Sequence, residues 1–327
     1  MTIFTPHYQQ QLQYRWLDLL KIFQHINLDK RWVSWGLAIM AITAYSTSAP
    51  VTRGAIEGGL HPTSLITARY LITTLLLGAT LALTAPTQLK IDRRGLLVCA
   101  IVGSFNGLTT LAFAWSLTRL SSSMASMLVS VYPLIVLSLL ALRGEKFTYR
   151  NTIRLIIGLS GIYFIVGPGG QADTWGIFLI MTTAAGYAVQ LVLTQWYLSD
   201  YDVRTVAFYV IGFMTLIVLS LWFIQGVEWQ APTRTGWMSI LWLAVIGTYL
   251  ARLAMFAGIR GIGSGQTSLL APTETFLTVL WSIIFLQEVL TPIQWVGSIL
   301  IIISGLLAIK RMGRVKPQPI RRTWLRL

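Results

Sequence analysis

A helical membrane protein of ten spans, arranged as two inverted five-helix repeats, is the fold class that the sequence predicts. Three observations carry it. Of 327 residues, 55% are hydrophobic and only 11% are charged, against about a quarter charged in an ordinary soluble domain. Apolar stretches of about 20 residues, the length that crosses a hydrocarbon core, recur along the chain. The hydrophobic pattern is also duplicated at a spacing of about 140 residues. Trp35-Gly36-Leu37-Ala38 is answered by Trp175-Gly176-Ile177-Phe178, Ala68-Arg69-Tyr70 by Ala207-Phe208-Tyr209, and Ser160-Gly161-Ile162 by Ser304-Gly305-Leu306. Such duplication is the signature of an internal structural repeat.

Each element follows from an apolar run and its boundaries. The first repeat, residues 32–167, holds the expected spans Trp32–Val51, Thr63–Leu83, Gly95–Leu117, Ser122–Leu142 and Thr152–Gly167. The second, residues 174–310, holds Thr174–Leu198, Thr205–Ile224, Gly236–Ile259, Ser264–Leu286 and Pro292–Lys310. Residues 1–31 form a cytoplasmic N-terminal segment, in which Trp16, Leu19, Leu20, Phe23 and Ile26 fall on one helical face. Either an interfacial helix or a loosely ordered tail accounts for that spacing. Residues 311–327 form a basic tail suited to anionic lipid headgroups.

Charge placement orients the spans. Of the 25 Lys and Arg, 20 fall in segments on the side of the N-terminus, Arg53, Arg119 and Arg234 on the other side, and Arg69 and Arg252 within spans. The positive-inside rule then puts both termini in the cytoplasm of a plasma (bacterial inner) membrane. Because five is odd, the second repeat starts on the opposite side from the first, so the halves are inverted. The net charge of +14 thus reports topology, and nucleic acid is not an expected partner. Cys99 stands alone in an apolar stretch, and His7, His25 and His61 lie outside the spans. No metal site or cofactor is expected from them. No Gly-Lys-Ser/Thr phosphate loop is present, and Gly258–Gly265 reads as a turn between spans.

Several stretches, taken in order, resemble a known family. Ser123–Pro133, Gly144-Glu145 and Gly158–Val166 in the first half, and Gly265–Glu274, Gln287-Glu288 and Ile302–Ile309 in the second, are similar to the drug/metabolite transporter superfamily, in its EamA type. Ala68-Arg69-Tyr70 resembles that family's second helix. The resemblance covers about residues 32–310. It implies secondary transport of an amino acid or similar amphipathic metabolite, usually export, through a cavity walled by helices one to four and six to nine. Membrane lipids and the solute are the expected partners, with a proton as a candidate coupling ion.

Ionisable groups inside a membrane are expensive and point to function. Arg69 lies about 9 Å in from the outer end of the second span, at 1.5 Å per residue. It either snorkels to the headgroups or attracts an anionic solute. Arg252 and Glu274 sit at similar depth on consecutive spans, where an ion pair would offset the desolvation of each charge. Such a pair either fixes packing or opens to solute or proton. Tyr45, Asn106, Trp115, Tyr132, Tyr187, Gln190, Thr248, Tyr249 and Gln266 supply further polar groups at mid-membrane depth. Each needs a partner helix or a watered cavity. A non-transporting membrane subunit or an intramembrane enzyme is the alternative; the enzyme would need clustered His, Asp or Glu at one depth.

Overall fold

The computed structural model describes residues 31–84, 86–142, 149–166, 173–198, 200–229, 231–268 and 270–309. The expected N-terminal interfacial helix and the basic tail lie outside the described residues. The described residues are helical throughout their ordered elements, with no strand among them. In chain order the first half contains α1 (Arg31–Ser46), α2 (Ser48–Glu57), α3 (Pro62–Thr84), a 3-10 turn (Pro86–Leu89), α4 (Arg93–Ser116), α5 (Ser122–Val129), α6 (Tyr132–Ala141) and α7 (Tyr149–Val166). The second half contains α8 (Thr174–Tyr197), α9 (Val203–Ile224), α10 (Arg234–Ala244), a π-helical turn (Val245–Leu250), α11 (Ala251–Ile262), α12 (Ser264–Ser268), α13 (Ala271–Leu286) and α14 (Pro292–Ile309).

Six apolar helical stretches among these residues are long enough to cross a membrane: Pro62–Leu83, Arg93–Ser116, Ser122–Ala141, Thr174–Tyr197, Val203–Ile224 and Arg234–Ile262. Their outer faces carry apolar side chains in place of the polar face of a soluble helix. On α4, Leu97, Ile101, Phe105 and Leu108 are exposed while Cys99, Val102, Asn106 and Leu111 are buried. Both stripes are largely apolar, as a helix facing lipid on one side and protein on the other requires.

Three of the expected spans are not single helices. The first breaks at Thr47, whose hydroxyl donates to the Ala44 carbonyl at 2.8 Å, and Pro50 follows in the first turn of α2. The expected Ser122–Leu142 span divides at Ser130 and Val131, just before Pro133 at the start of α6. The expected Ser264–Leu286 span divides into α12 and α13, with Pro272 in the first turn of α13. Proline lacks the N–H that would continue the ladder, so the carbonyl four residues earlier loses its partner and the helix breaks there. Among the remaining links, α11 passes to α12 through Gly263 alone, at φ +83°, a conformation that disfavours a side chain.

Packing joins the two halves. α1 packs on α11 as α8 packs on α4; α13 packs on α1 and α2 as α6 and α5 pack on α8; α3 meets α9, α5 meets α13, and α7 meets α14. Small residues permit the closest approaches. A side chain at Gly103 would place its Cβ 2.5 Å from the Val210 carbonyl oxygen and 2.7 Å from Phe213, and one turn on, a Cβ at Gly107 would sit 3.2 Å from the Met214 backbone. The α4–α9 contact is therefore set by backbone against backbone.

Charged and polar groups tie both ends of the bundle. At one end the Glu288 carboxylate accepts from the backbone N–H groups of Ser122 and Ser123 at 2.7 and 2.9 Å, capping α5 from the far half of the chain. Arg53 donates to the carbonyls of Leu117 and Leu120 beyond the end of α4. Asp173 caps α8 through Gly176 N–H at 3.0 Å and pairs with Arg119 at 2.7 Å. At the opposite end Gln195 accepts from both the backbone N–H and the hydroxyl of Ser264 at 2.5 Å. There Tyr209 also donates to the Leu89 carbonyl at 2.6 Å, and Tyr201 to Asp92 at 2.6 Å.

Two predictions follow from these contacts. Gly103→Ala should lower unfolding stability in detergent by about 1–3 kcal/mol through overpacking, while Gly36→Ala, with nothing within 4 Å of the added Cβ, should not. The Tyr201 hydrogen bond, helped by the Gly95 N–H, holds the Asp92 carboxyl below its ordinary value, while burial and the Asp92 bond push Tyr201 up to about 12. A depressed carboxyl contributes stability above its ordinary pKa, near 3.9, and loses it as pH falls through the folded value. The melting-temperature gap between the native chain and Asp92→Asn should therefore be present at pH 6–8 and close in strong acid. The group is exposed, so the gap is small.

Candidate functional site

A cavity of about 140 Å³ lies at the level of the helix breaks. Its wall is built from one stripe of each surrounding helix: Tyr45 of α1, Ser48 and Ala49 of α2, Arg69 and Tyr70 of α3, and Asn106, Thr109, Thr110 and Phe113 of α4. Ser126, Val129, Ser130 and Tyr132 enter where α5 gives way to α6, Thr183 and Tyr187 from α8, Arg252 from α11, and Glu274, Thr275 and Thr278 from α13. The two proline breaks meet there, since the hydroxyls of Ser130 and Thr275 are hydrogen-bonded to each other.

Arg69 faces this cavity and does not snorkel. It is 6% exposed. Its Nε donates to the Thr248 hydroxyl at 2.5 Å and its Nη2 to the Gly247 carbonyl at 2.9 Å. Both acceptors belong to the π-helical turn, in which the backbone widens. Thr248 in turn donates to the Leu243 carbonyl five residues back, at 2.7 Å, and Thr73, one turn along α3 from Arg69, donates to the Ala244 carbonyl at 3.0 Å. Gly247 has room only for hydrogen: a Cβ would stand 2.9 Å from the Ser48 hydroxyl and 3.7 Å from the Arg69 guanidinium. Sequence alone carries no sign of the π turn.

Arg252 and Glu274 do not form the expected ion pair. The ion pairs among the described residues are Arg53–Glu57, Arg119–Asp173 and Arg204–Asp202. The reason is packing order: consecutive in sequence, α11 and α13 are each laid against α1. Tyr45 of α1 lies within electrostatic range of both charges, and its ring takes the Arg252 guanidinium at 5.9 Å. Phe256 approaches the same guanidinium at 5.7 Å, a cation–π geometry that stabilises it without neutralising it. Arg252 Nε and Nη1, Glu274 Oε2 and the hydroxyls of Tyr45 and Tyr187 have no hydrogen-bond partner. Tyr132 and Tyr187 stack edge to face at 4.7 Å.

Of the twelve residues expected to bind solute, Tyr45, Arg69, Asn106, Tyr132, Tyr187, Arg252 and Glu274 line the cavity, and five do not. Trp115 lies two residues past Phe113, turned away from the α4 stripe, and meets the His61 ring edge-on at 5.4 Å; partial burial lowers the His61 pKa. Gln190, past Tyr187 on α8, is buried among helices with both amide atoms unpartnered. Thr248 supports Arg69 from behind, and Tyr249 turns to α3, where its hydroxyl meets Thr80 at 2.9 Å. Gln266 sits on the short α12, apart from the lining. Five of the lining residues that sequence reasoning missed fall at helical spacing from those it found. Thr109, Thr110 and Phe113 follow Asn106, Thr183 precedes Tyr187, and Thr278 follows Glu274 at three-, four- and seven-residue steps.

The family model for EamA-like transporters matches residues 32–167 and again 174–310. The chain belongs to the EamA-like transporter family. It is thus a membrane transporter of the drug/metabolite type, an integral membrane protein carrying that family's domain twice. It is 24% identical over 205 residues to a protein described as an uncharacterized transporter of Archaeoglobus fulgidus, covering 62% of this chain and 73% of that one. It is also 24% identical over 228 residues to an uncharacterized inner membrane transporter, YicL, of Salmonella typhimurium, covering 66% and 73%. A solved crystal structure shares the fold, with a TM-score of 0.66 and 18% identity over 84% of this chain and 96% of that one.

Thr248→Val should strand the buried Arg69 Nε donor, at about 1–3 kcal/mol in unfolding stability. Thr248→Ser, which keeps the hydroxyl, should lose less; equal losses would mean that the hydroxyl does not hold Arg69.

Proposed function

We propose that this EamA-family chain is a secondary transporter that moves a small metabolite, an amino acid or similar amphipathic solute, through the central cavity by alternating access, in the direction of export. The observation that carries this reading is the buried polar cavity itself. It lies between the two matched domains, and unpartnered polar groups of Arg252, Glu274, Tyr45 and Tyr187 converge on it. Buried polar groups without partners are costly, and a solute or water is what would satisfy them. Cavities at a repeat interface, walled by broken helices, are a transporter arrangement.

In this reading the ten spans form inverted five-helix repeats with both termini cytoplasmic. The exchange of packing partners between the halves supports the repeat, and the Lys/Arg distribution supports the orientation. The end tied by Glu288, Arg53 and Asp173 is then the outer one, and the end tied by Gln195, Tyr201 and Tyr209 the inner one. Alternating access breaks one set of ties while the other holds. The broken helices at Thr47, Ser130 and Leu270 are the places where half-helices can tilt.

Without a phosphate-binding loop, the driving force is a solute or ion gradient, and Glu274 is the group placed to carry a proton. In proteoliposomes, a metabolite panel should show flux sensitive to Tyr187→Ala and accelerated by a pH gradient. Glu274→Gln should abolish the gradient-driven component while leaving the protein folded. Gradient-driven flux unchanged in Glu274→Gln would remove the proton role; absence of flux for every solute, with silent cavity variants in cells, would remove transport through this cavity.

A further inference from the structure

The charge of the cavity wall is unbalanced, and the imbalance identifies what fills it. Two guanidiniums face the cavity, and a guanidinium stays protonated in any protein environment. Glu274 is the sole acidic residue among the described lining. Arg69 is bound by a hydroxyl and a carbonyl, both neutral. Arg252 is 6% exposed, held by aromatic faces and the neutral Tyr70 hydroxyl, and leaves Nε and Nη1 without partners. The two cations are near enough to repel one another. Burying a charge without an opposing one is strongly unfavourable, so this wall favours an occupant that brings negative charge. Whether Glu274 is ionised or protonated, the wall keeps an excess of positive charge.

We propose that the solute is a small carboxylate of net charge −1, its carboxylate received by Arg252 with Arg69 adjoining, and its other polar end directed to Glu274. With Glu274 ionised, a net charge of −1 brings the cavity to neutrality. The volume limits size, since a cavity near 150 Å³ holds a benzene-sized molecule. About 140 Å³ therefore admits roughly six to nine heavy atoms. A neutral solute leaves the guanidiniums uncompensated, and a cationic one adds to the repulsion. The hydroxyls of Tyr45 and Tyr187, both unpartnered and each within electrostatic range of Arg252 and Glu274, suit a polar backbone of that length. This selectivity rests on the transport reading of the same cavity.

The test uses four near-isosteric probes with the purified full-length protein: L-aspartate (net −1), 3-hydroxybutyrate (net −1, no ammonium), L-asparagine (neutral) and 2,4-diaminobutyrate (net +1). Melting temperature in detergent and counterflow in proteoliposomes are both read. One or both anions should stabilise the protein and exchange across the vesicle, at half-saturating concentrations at least about tenfold below those of the neutral and cationic probes. Arg252→Gln should weaken the anion response about 30-fold or more, and Arg252→Lys should restore part of it. Should Arg252→Gln fail to fold, Glu274→Gln decides: removing the one negative wall charge should tighten 3-hydroxybutyrate. Equal binding of asparagine or diaminobutyrate, an anion response unchanged in Arg252→Gln or weakened for 3-hydroxybutyrate in Glu274→Gln, or no response to either anion overturns the proposal. In any of these cases, flux of a neutral solute that is sensitive to Tyr187→Ala would still uphold transport through the cavity.

Discussion

Everything at the centre of this protein depends on how a buried guanidinium is held without an acid. Arg69 is buried, and the partners it finds on the protein are a threonine hydroxyl and a backbone carbonyl. A widened turn opens its carbonyls to a donor from a neighbouring helix more fully than a regular α-helix does. The π turn at Val245–Leu250 supplies such a carbonyl, and Gly247 lets α2 and α3 approach it. Thr73 takes the neighbouring Ala244 carbonyl, so a single stripe of α3 satisfies the irregular backbone opposite it. The site is thus a mutual arrangement of one cation and one helix irregularity.

The proline breaks serve the cavity in a related way. A continuous helix would present only side chains to the centre of the bundle. At the ends of α5 and α13, backbone and short hydroxyl side chains come to the wall together, with Ser130 bonded to Thr275 across the two halves. Glu274 lies in the first turn of α13, where the positive end of the helix dipole favours a carboxylate. The ties at each end of the bundle, Glu288 on α5 and Gln195 on α12, are made by a few hydrogen bonds.

Scaffold and site obey different rules. The helix pairings in one half are repeated by their counterparts in the other, which makes the frame nearly symmetric. The charged groups are not repeated. Where the first half places Arg69, the second places Phe208, whose ring packs on Gly78 of α3. Where the second half places Glu274, the first places Tyr132, stacked on Tyr187. The frame is nearly symmetric, while the wall is not: it carries two guanidiniums and one carboxyl.

The apolar helical segments and the residues most expensive to bury were legible in the chain, because hydrocarbon imposes a long apolar period and leaves few charges to choose among. Arg69, Arg252 and Glu274 stood out for that reason, and all three line the cavity. Their relations to one another were not legible. Arg252 and Glu274 lie on consecutive spans and yet do not pair, because α1 from the other half of the chain receives both helices. Trp115 and Tyr249 have the depth of a cavity residue but the wrong rotation about their helix axes, while Gln190 shares the stripe of Thr183 and Tyr187 and lies one turn past the lining. Depth follows from position along a span, which sequence records. Rotation and neighbour follow from which helix packs on which, and that was decided by contacts such as Gly103 on Val210, made between residues more than a hundred positions apart.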